Sequence, residues 1–343
     1  MRPNGANERI KHRYFAWLRN AGQKSEKAID QVAMALDRFE QYSARKDFRS
    51  FRVEQADAFK RYLATIEGKR SGTALSKATI TSTLYALRDF VRWLADQKGF
   101  RGRLVRTDAD YFNPSRRDEA IARSTRPMKV PTIEQVEAMV AAMPTDTVIA
   151  RRNRAIVALI ALTGARDDAV ASLQMADLDI DGRHLFHDPR HVRSKFRKTF
   201  STWFFPVGNV FEEIVAAWKA ELEVAHGFGP KAPLFPKTDV SFGPGGLVAS
   251  ARLGAEGWSN ADPIRKVFRE ACKSAGLPDF RPHSFRHMLA QLGLKETQTH
   301  EQLKVWSQNL GHEKMLTTLT SYGQVPDYRQ REVILGMRKR NSS

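Results

Sequence analysis

Residues 152–166 read RNRAIVALIALTGAR, and the character of the chain turns on them. Ala155 to Leu162 is apolar at every position, a strongly apolar helix that stops at Gly164 and releases Arg166 just beyond its end. This is the longest purely apolar run in the chain, and it is far too short to cross a membrane. Upstream, a new domain opens at Pro131. Thr132 followed three positions later by Gln135 forms a capping box that starts the helix TIEQVEAMVAAM. Downstream, Ala169 to Leu173 continues helically. DLDIDGRHLFHDPRHVRSKFRKTFSTWFFPV then changes period: aromatic and β-branched residues around Gly182 and around Lys195–Lys198 predict two or three short strands joined by polar turns. Helices resume in FEEIVAAWKAELE, PIRKVFREACKSAG, HSFRHMLAQLGLK and HEQLKVWSQNLGH.

The first hundred residues read differently. Ile29, Val32, Leu36 and Phe39 step by three, four and three, which places them on one helical stripe. Val53, Phe59, Leu63 and Ile66 mark a shorter helix. Ser76 is an N-cap for a third, in which Ile80, Leu84, Leu87, Val91 and Leu94 repeat with helical spacing. With Arg9 to Leu18 these make a four-helix bundle. Its exposed face carries Lys77, Arg88 and Arg92, read either as a solvated face or as contacts to DNA. From Lys98 to Lys129 the pattern breaks into Gly, Pro, Ser and Arg, the composition of an exposed basic linker. The expected organisation is a helical domain over residues 1–110, a linker over 111–130 and a second domain over 131–343. The closing MRKRNSS reads as a frayed basic end.

Charge narrows the class. The 343 residues hold 56 Lys and Arg against 38 Asp and Glu, a formal +18, while the 42% hydrophobic content is that of a globular protein. Such an excess repels itself unless an anionic partner offsets it, and nucleic acid is the commonest one. The first residues, MRPNGANERIKHRYF, lack the apolar stretch of a signal peptide. A single cysteine, Cys272, excludes an internal disulfide framework and fits a reducing compartment. The expectation is a cytoplasmic, nucleoid-associated protein with no membrane contact.

Four segments hold the polar residues of interest. TGAR ends at Arg166; RSKFRKT offers Lys195 and Lys198 on a hairpin tip; RPHSFRH sets His283 and Arg286 three apart on one face of a helical turn. LGHEKMLTTLTSYG places His312 after a glycine stop, ten residues before Tyr322. Taken singly, each has an ordinary explanation as a surface charge, a hydrogen-bonded histidine or a packing tyrosine. Their occurrence in this order, in a chain of this charge, does not.

The set resembles the tyrosine site-specific recombinase, or phage integrase, family. That family shows an Arg after an apolar helix and Thr-Gly, a hairpin Lys, His-x-x-Arg, Leu-Gly-His, and a Tyr nine or ten residues later. TGAR, SKFRK, HSFR, LGH and TSYG supply all five in order, and the likeness runs from Pro131 to about Gln330. It implies a mainly α fold: an N-terminal four-helix core-binding (SAM-like) domain, then an α-rich catalytic domain with a small antiparallel β-sheet. It also implies site-specific recombination or integration, in which DNA strands are cleaved and rejoined through a 3′-phosphotyrosyl intermediate. Arg166 and Arg286 would clamp the phosphate, Tyr322 attack it, His283 help remove the phenol proton, Lys195 protonate the leaving 5′-oxygen, and His312 hydrogen-bond the phosphate. Lys198 stands as the alternative to Lys195 and as a DNA contact. Many relatives carry an acidic residue three positions after the first Arg; here that position is Ala169, so support for Arg166 is sought from Asp168 or elsewhere.

The physical reason for such a set is phosphoryl transfer without a metal. Attack on a phosphodiester builds negative charge on its non-bridging oxygens, which two guanidiniums can clamp bidentately. A phenol with an ordinary pKa of ~10 is a weak nucleophile and needs nearby cations and a proton acceptor. The resulting ester keeps the bond energy, so no cofactor, ATP or metal is called for. The expected partners are double-stranded DNA target sites, with a monomer in free solution and a homo-tetramer on DNA, and room for accessory DNA-bending proteins. Two other readings use the same residues: a type IB topoisomerase-like relaxing enzyme, and a DNA-binding protein without catalysis. His184, His187 and His191, and His283 with His287, have the spacing of metal ligands, but carboxylates are not clustered beside them in the sequence.

Overall fold

The computed structural model describes residues 2–68, 72–124, 128–193, 199–242, 248–312, 330–331 and 334–335. Contacts divide the chain into two compact units, Met1–Thr125 and Arg126–Ser343. Lys195, Lys198, Tyr322 and most of the segment after it lie outside the described residues.

The first unit is the expected helical bundle: α1 (Gly5–Asn20), α2 (Glu26–Tyr42), α3 (Val53–Thr65) and α4 (Lys77–Ala95). Each of the predicted stripes faces inward. Ile29, Leu36 and Phe39 of α2, Phe59 and Leu63 of α3, and Leu84, Leu87 and Leu94 of α4 are all buried in one cluster with Tyr14 of α1. Ser76 caps α4 by accepting the Thr79 amide at 3.2 Å. A buried carboxylate, Glu40, accepts from Asn7 Nδ2 at 3.0 Å and pairs with Lys11 at 2.6 Å, tying α2 to α1.

The expected linker is a correction. Residues 106–112 form a 3-10 helix and α5 spans Arg116–Arg123, both folded within the first unit. Phe100, Leu104, Ala109 and Phe112 are buried in its core, and Phe112 stacks on Phe51 with ring centroids 5.7 Å apart. Arg is the commonest residue of this segment, yet four spaced apolar anchors suffice to hold it, because burial is decided per side chain and not by mean polarity.

The second unit is built around the apolar helix. α7 (Val148–Thr163) is buried on every side from Ala155 to Leu162, as a helix without a polar face must be. Around it lie α6 (Ile133–Ala141), α9 (Asn209–Val224), α10 (Asp262–Ser274) and α11 (Pro282–Glu296). α8 (Asp167–Val170) is a single turn, and α12 (His300–Asn309) packs on α11. β1 (Leu178–Asp179), β2 (His184–His187) and β3 (Phe200–Trp203) form an antiparallel sheet in that order. A second antiparallel pair, β4 (Thr238–Phe242) and β5 (Val248–Leu253), was not foreseen, because its short runs flank a Gly- and Pro-rich stretch that reads as loop. No helix among the described residues is long and apolar enough to cross a membrane.

Candidate active site

The end of α7 organises the site. Gly164 sits at φ +59° and its amide donates to Ile160 O at 2.9 Å, closing the helix in the left-handed turn that glycine adopts without strain. A side chain there would also press on Leu289 Cδ1 at 3.0 Å and Leu310 Cδ2 at 3.1 Å, so α11 and the exit of α12 approach this backbone closely. Arg166 follows, half-buried, as the N-cap of α8.

Arg286 reaches the same point from α11. It is buried, and it donates from Nη1 to Gly164 O at 3.0 Å and from Nη2 to Leu310 O. One guanidinium therefore ties the loop that presents Arg166 to the turn that presents His312. His283, three residues earlier on the exposed start of α11, shares a pocket of about 590 Å³ with Arg166 and Arg286. Its ring meets that of His287 edge-on, centroids 4.8 Å apart.

His312 is positioned by α12. Asn309 grips β3 with two hydrogen bonds, accepting from Trp203 N at 2.7 Å and donating to Trp203 O at 2.9 Å. Trp306 donates to Leu289 O of α11 at 2.8 Å. Gly311 then turns at φ +69° against Phe200, whose ring would lie 3.1 Å from an added Cβ. Burial, then the Arg286 and Arg166 guanidiniums, hold the His312 ring down at about 4, so it stays neutral in the free protein. His287 is held at about 4 by burial and by His283 and Arg286. His312 thus lies within the field of both arginines, and His287 within that of Arg286.

Arg166, His283, Arg286 and His312 are thus brought together. Lys195, Lys198 and Tyr322 lie outside the described residues. Asp168, the expected support for Arg166, accepts from Arg193 Nε at 3.0 Å, while Asp167 accepts from Arg265 Nε at 2.7 Å. Arg265, Arg269 and Arg281 line the same pocket, together with Asp167 and Asp279, so cations predominate on its wall. His184 and His187 alternate across β2, and His191 is engaged by Asp177 at 2.8 Å. Among the described residues no group of three or more His, Cys, Asp or Glu is placed to hold a metal.

The reading by motif missed two features. His187 is buried beside Arg166 and Arg286, but its spacing from His184 drew attention only as a metal pattern. In the first unit, Arg9, His12, Arg13, Arg49 and Lys98 surround a cavity of about 520 Å³, a basic cluster that comes from three separate segments. The three cations proposed on α4 are engaged within that unit: Lys77 with Asp118 at 2.7 Å, Arg92 with Asp110, and Arg88 with Asp89 at 3.0 Å and over the Tyr85 ring at 4.5 Å. Exposed pairs of this kind are weak enough for a phosphate to exchange with them.

A model described as the phage integrase family matches residues 129–328. No curated protein matches the chain. Among solved structures, a lambda integrase dimer bound to a COC' core site aligns with a TM-score of 0.60 at 15% identity, covering 92% of this chain and 95% of that one. The Tn1549 transposon integrase in complex with transposon right end DNA aligns with a TM-score of 0.57 at 14% identity, covering 96% and 99%. The XerH site-specific recombinase bound to a palindromic difH substrate, in a post-cleavage complex, aligns with a TM-score of 0.56 at 15% identity, covering 84% and 74%. At these identities the likeness is one of fold.

Proposed function

The chain belongs to the phage integrase family and is a site-specific DNA recombinase, and from that premise we propose how its residues divide the work. The observation that carries the reading is the convergence of Arg166, His283 and Arg286 on one cation-lined pocket, with the neutral His312 inside the field of both arginines.

A phosphodiester of double-stranded DNA enters that pocket. The Arg166 and Arg286 guanidiniums take its non-bridging oxygens, where charge grows as the fifth oxygen approaches phosphorus. Tyr322 Oη forms the new bond to phosphorus, the bond to the 5′-oxygen breaks, and the strand is left as a 3′-phosphotyrosyl ester. The phenol proton passes to His283, and the leaving 5′-oxygen takes a proton from Lys195. His312, kept neutral by its surroundings, retains an N–H to donate to a phosphate oxygen. A 5′-hydroxyl from the partner strand reverses these steps, which is why neither a metal nor a nucleotide is consumed. On the first unit, phosphates rest on Lys77, Arg88 and Arg92 of α4 and on the Arg9, Arg13, Arg49 and Lys98 cluster.

Two lysines compete for the general-acid role. With a 5′-bridging phosphorothioate the leaving sulfur needs no proton, so a general-acid variant recovers cleavage on that substrate. Lys195→Ala is expected to be rescued, and Lys198→Ala to show only weakened binding. Measuring adduct formation on the oxygen and sulfur substrates decides the matter, and rescue confined to Lys198→Ala reverses the assignment.

Exchange between two duplexes needs four cleavages, so four copies meet on DNA. Ile334 and Leu335 are 59% and 43% exposed, apolar residues that a neighbouring copy would cover. A groove of about 940 Å³ between β3 and α12, bordered by Trp203, Val305 and Trp306, offers the seat. Mixing two labelled duplexes with the protein in EDTA, without nucleotide, is expected to give strands joined across duplexes. Deleting residues 326–343 is expected to spare single-site binding while abolishing exchange and the four-copy complex. Loss of supercoils with no exchange would point instead to a relaxing enzyme, and exchange by the truncated chain would remove the docking step.

A further inference from the structure

His187 lines a small cavity together with Arg166 and Arg286, and no role falls to it in the phosphoryl-transfer scheme. Its ring is 2% exposed and stacks on Phe200 with centroids 4.1 Å apart and planes 6° from parallel. Nε2 meets the Thr202 hydroxyl at 3.3 Å, whereas Nδ1 is buried with no hydrogen-bond partner. A buried polar atom without a partner is costly and rare, and its persistence calls for a reason. The ring borders a cavity of about 10 Å³ whose other walls include Arg166, Arg286, Thr202 and the small side chain of Ala169.

The environment selects the tautomer. With two guanidiniums lining the same cavity, a protonated Nδ1 would place a donor in a cationic field, while an Nδ1 lone pair is favoured by it. Nε2–H then donates to Thr202, and Nδ1 is left as a neutral acceptor. We propose that His187 is a positioning residue whose Nδ1 accepts a guanidinium N–H of Arg166 when DNA phosphate occupies the site, fixing the plane of that arm of the clamp. Burial, then Arg166 and Arg286, hold its ring at about 4, so it supplies an acceptor without supplying charge. A neutral acceptor leaves the clamp's full positive charge for the phosphate, which a carboxylate in the same place would partly cancel. The stack adds a second consequence, because Phe200 also packs on Gly311 beside His312.

The inference rests on the recombinase reading, and the experiment separates the two. Leu and Asn are nearly the same shape, and each loses the stacked ring, but only Asn places an acceptor oxygen at the δ position. His187→Leu and His187→Asn are compared for the rate of covalent adduct formation on a nicked substrate at saturating DNA, and for DNA affinity. His187→Leu is expected to slow the saturated rate by about 10- to 100-fold, the scale of one hydrogen bond to a charged donor, with affinity unchanged. His187→Asn is expected to recover most of that loss. Equal rates for Leu and wild type, or equal impairment of Leu and Asn, would overturn the proposal and leave the ring a packing role. Absence of adduct with the unaltered protein would instead overturn the recombinase reading itself.

Discussion

Tyr322→Phe is expected to bind DNA as the unaltered protein does and to leave no covalent protein–DNA adduct on a nicked substrate. Removing the phenolic oxygen deletes the atom proposed to bond phosphorus, while the ring and the net charge of +18 at neutral pH are unchanged. The proposed clamp and the proposed phosphate-binding surfaces are untouched, so only the chemical step is expected to be lost. Loss of a covalent nucleophile elsewhere costs roughly 10⁶-fold in turnover, so residual adduct should fall below detection. Tyr328 is the natural control, since it lies six residues further on and outside the motif. Tyr328→Phe is expected to form adduct normally. Denaturing gels of nicked, labelled DNA read both outcomes directly, and adduct retained in Tyr322→Phe would move the nucleophile elsewhere.

Arg286→Lys is expected to lose both cleavage and stability, for separable reasons. A lysine keeps the charge but lacks the planar fork, so it cannot hold a phosphate by two parallel bonds. If one oxyanion-type donor is the guide, cleavage falls by about 10²- to 10³-fold. The stability loss follows from the two anchors on Gly164 O and Leu310 O. A single ammonium cannot span both, and a buried carbonyl left without a donor costs about 1–3 kcal/mol. In a unit of this size that lowers the melting midpoint by roughly several degrees. Arg166→Lys is expected to share the cleavage defect. Single-turnover cleavage alongside thermal melting checks the pair, and near-normal cleavage by Arg286→Lys would make its guanidinium a structural tie alone.

Much of this was legible along the chain. Stripes with helical spacing, such as Ile80 to Leu94, signal helices because residues three and four apart share a face whatever the rest of the chain does. Ser76 and Thr132 mark helix starts because capping is settled within three residues. Gly164 marks a stop for the same local reason. The order of TGAR, HSFR and LGH carries the resemblance to the family, because those short motifs are each read within a few adjacent residues.

What only the tertiary structure decided lies beyond that short range. Arg286 meets Gly164 across 122 residues, and no periodicity encodes which carbonyl a buried guanidinium will find. His187 reads as one of three spaced histidines; only the pairing of β2 with β3 buries its ring against Phe200 and beside Arg166. Phe100 and Phe112 sit in a stretch whose composition says linker, and they become core because α3 and α4 present a surface for them. Local propensity and capping are properties of a few adjacent residues. Burial, register and the partner of a buried polar atom are properties of the assembled whole, since each is a choice among distant groups made only once the chain has closed around them.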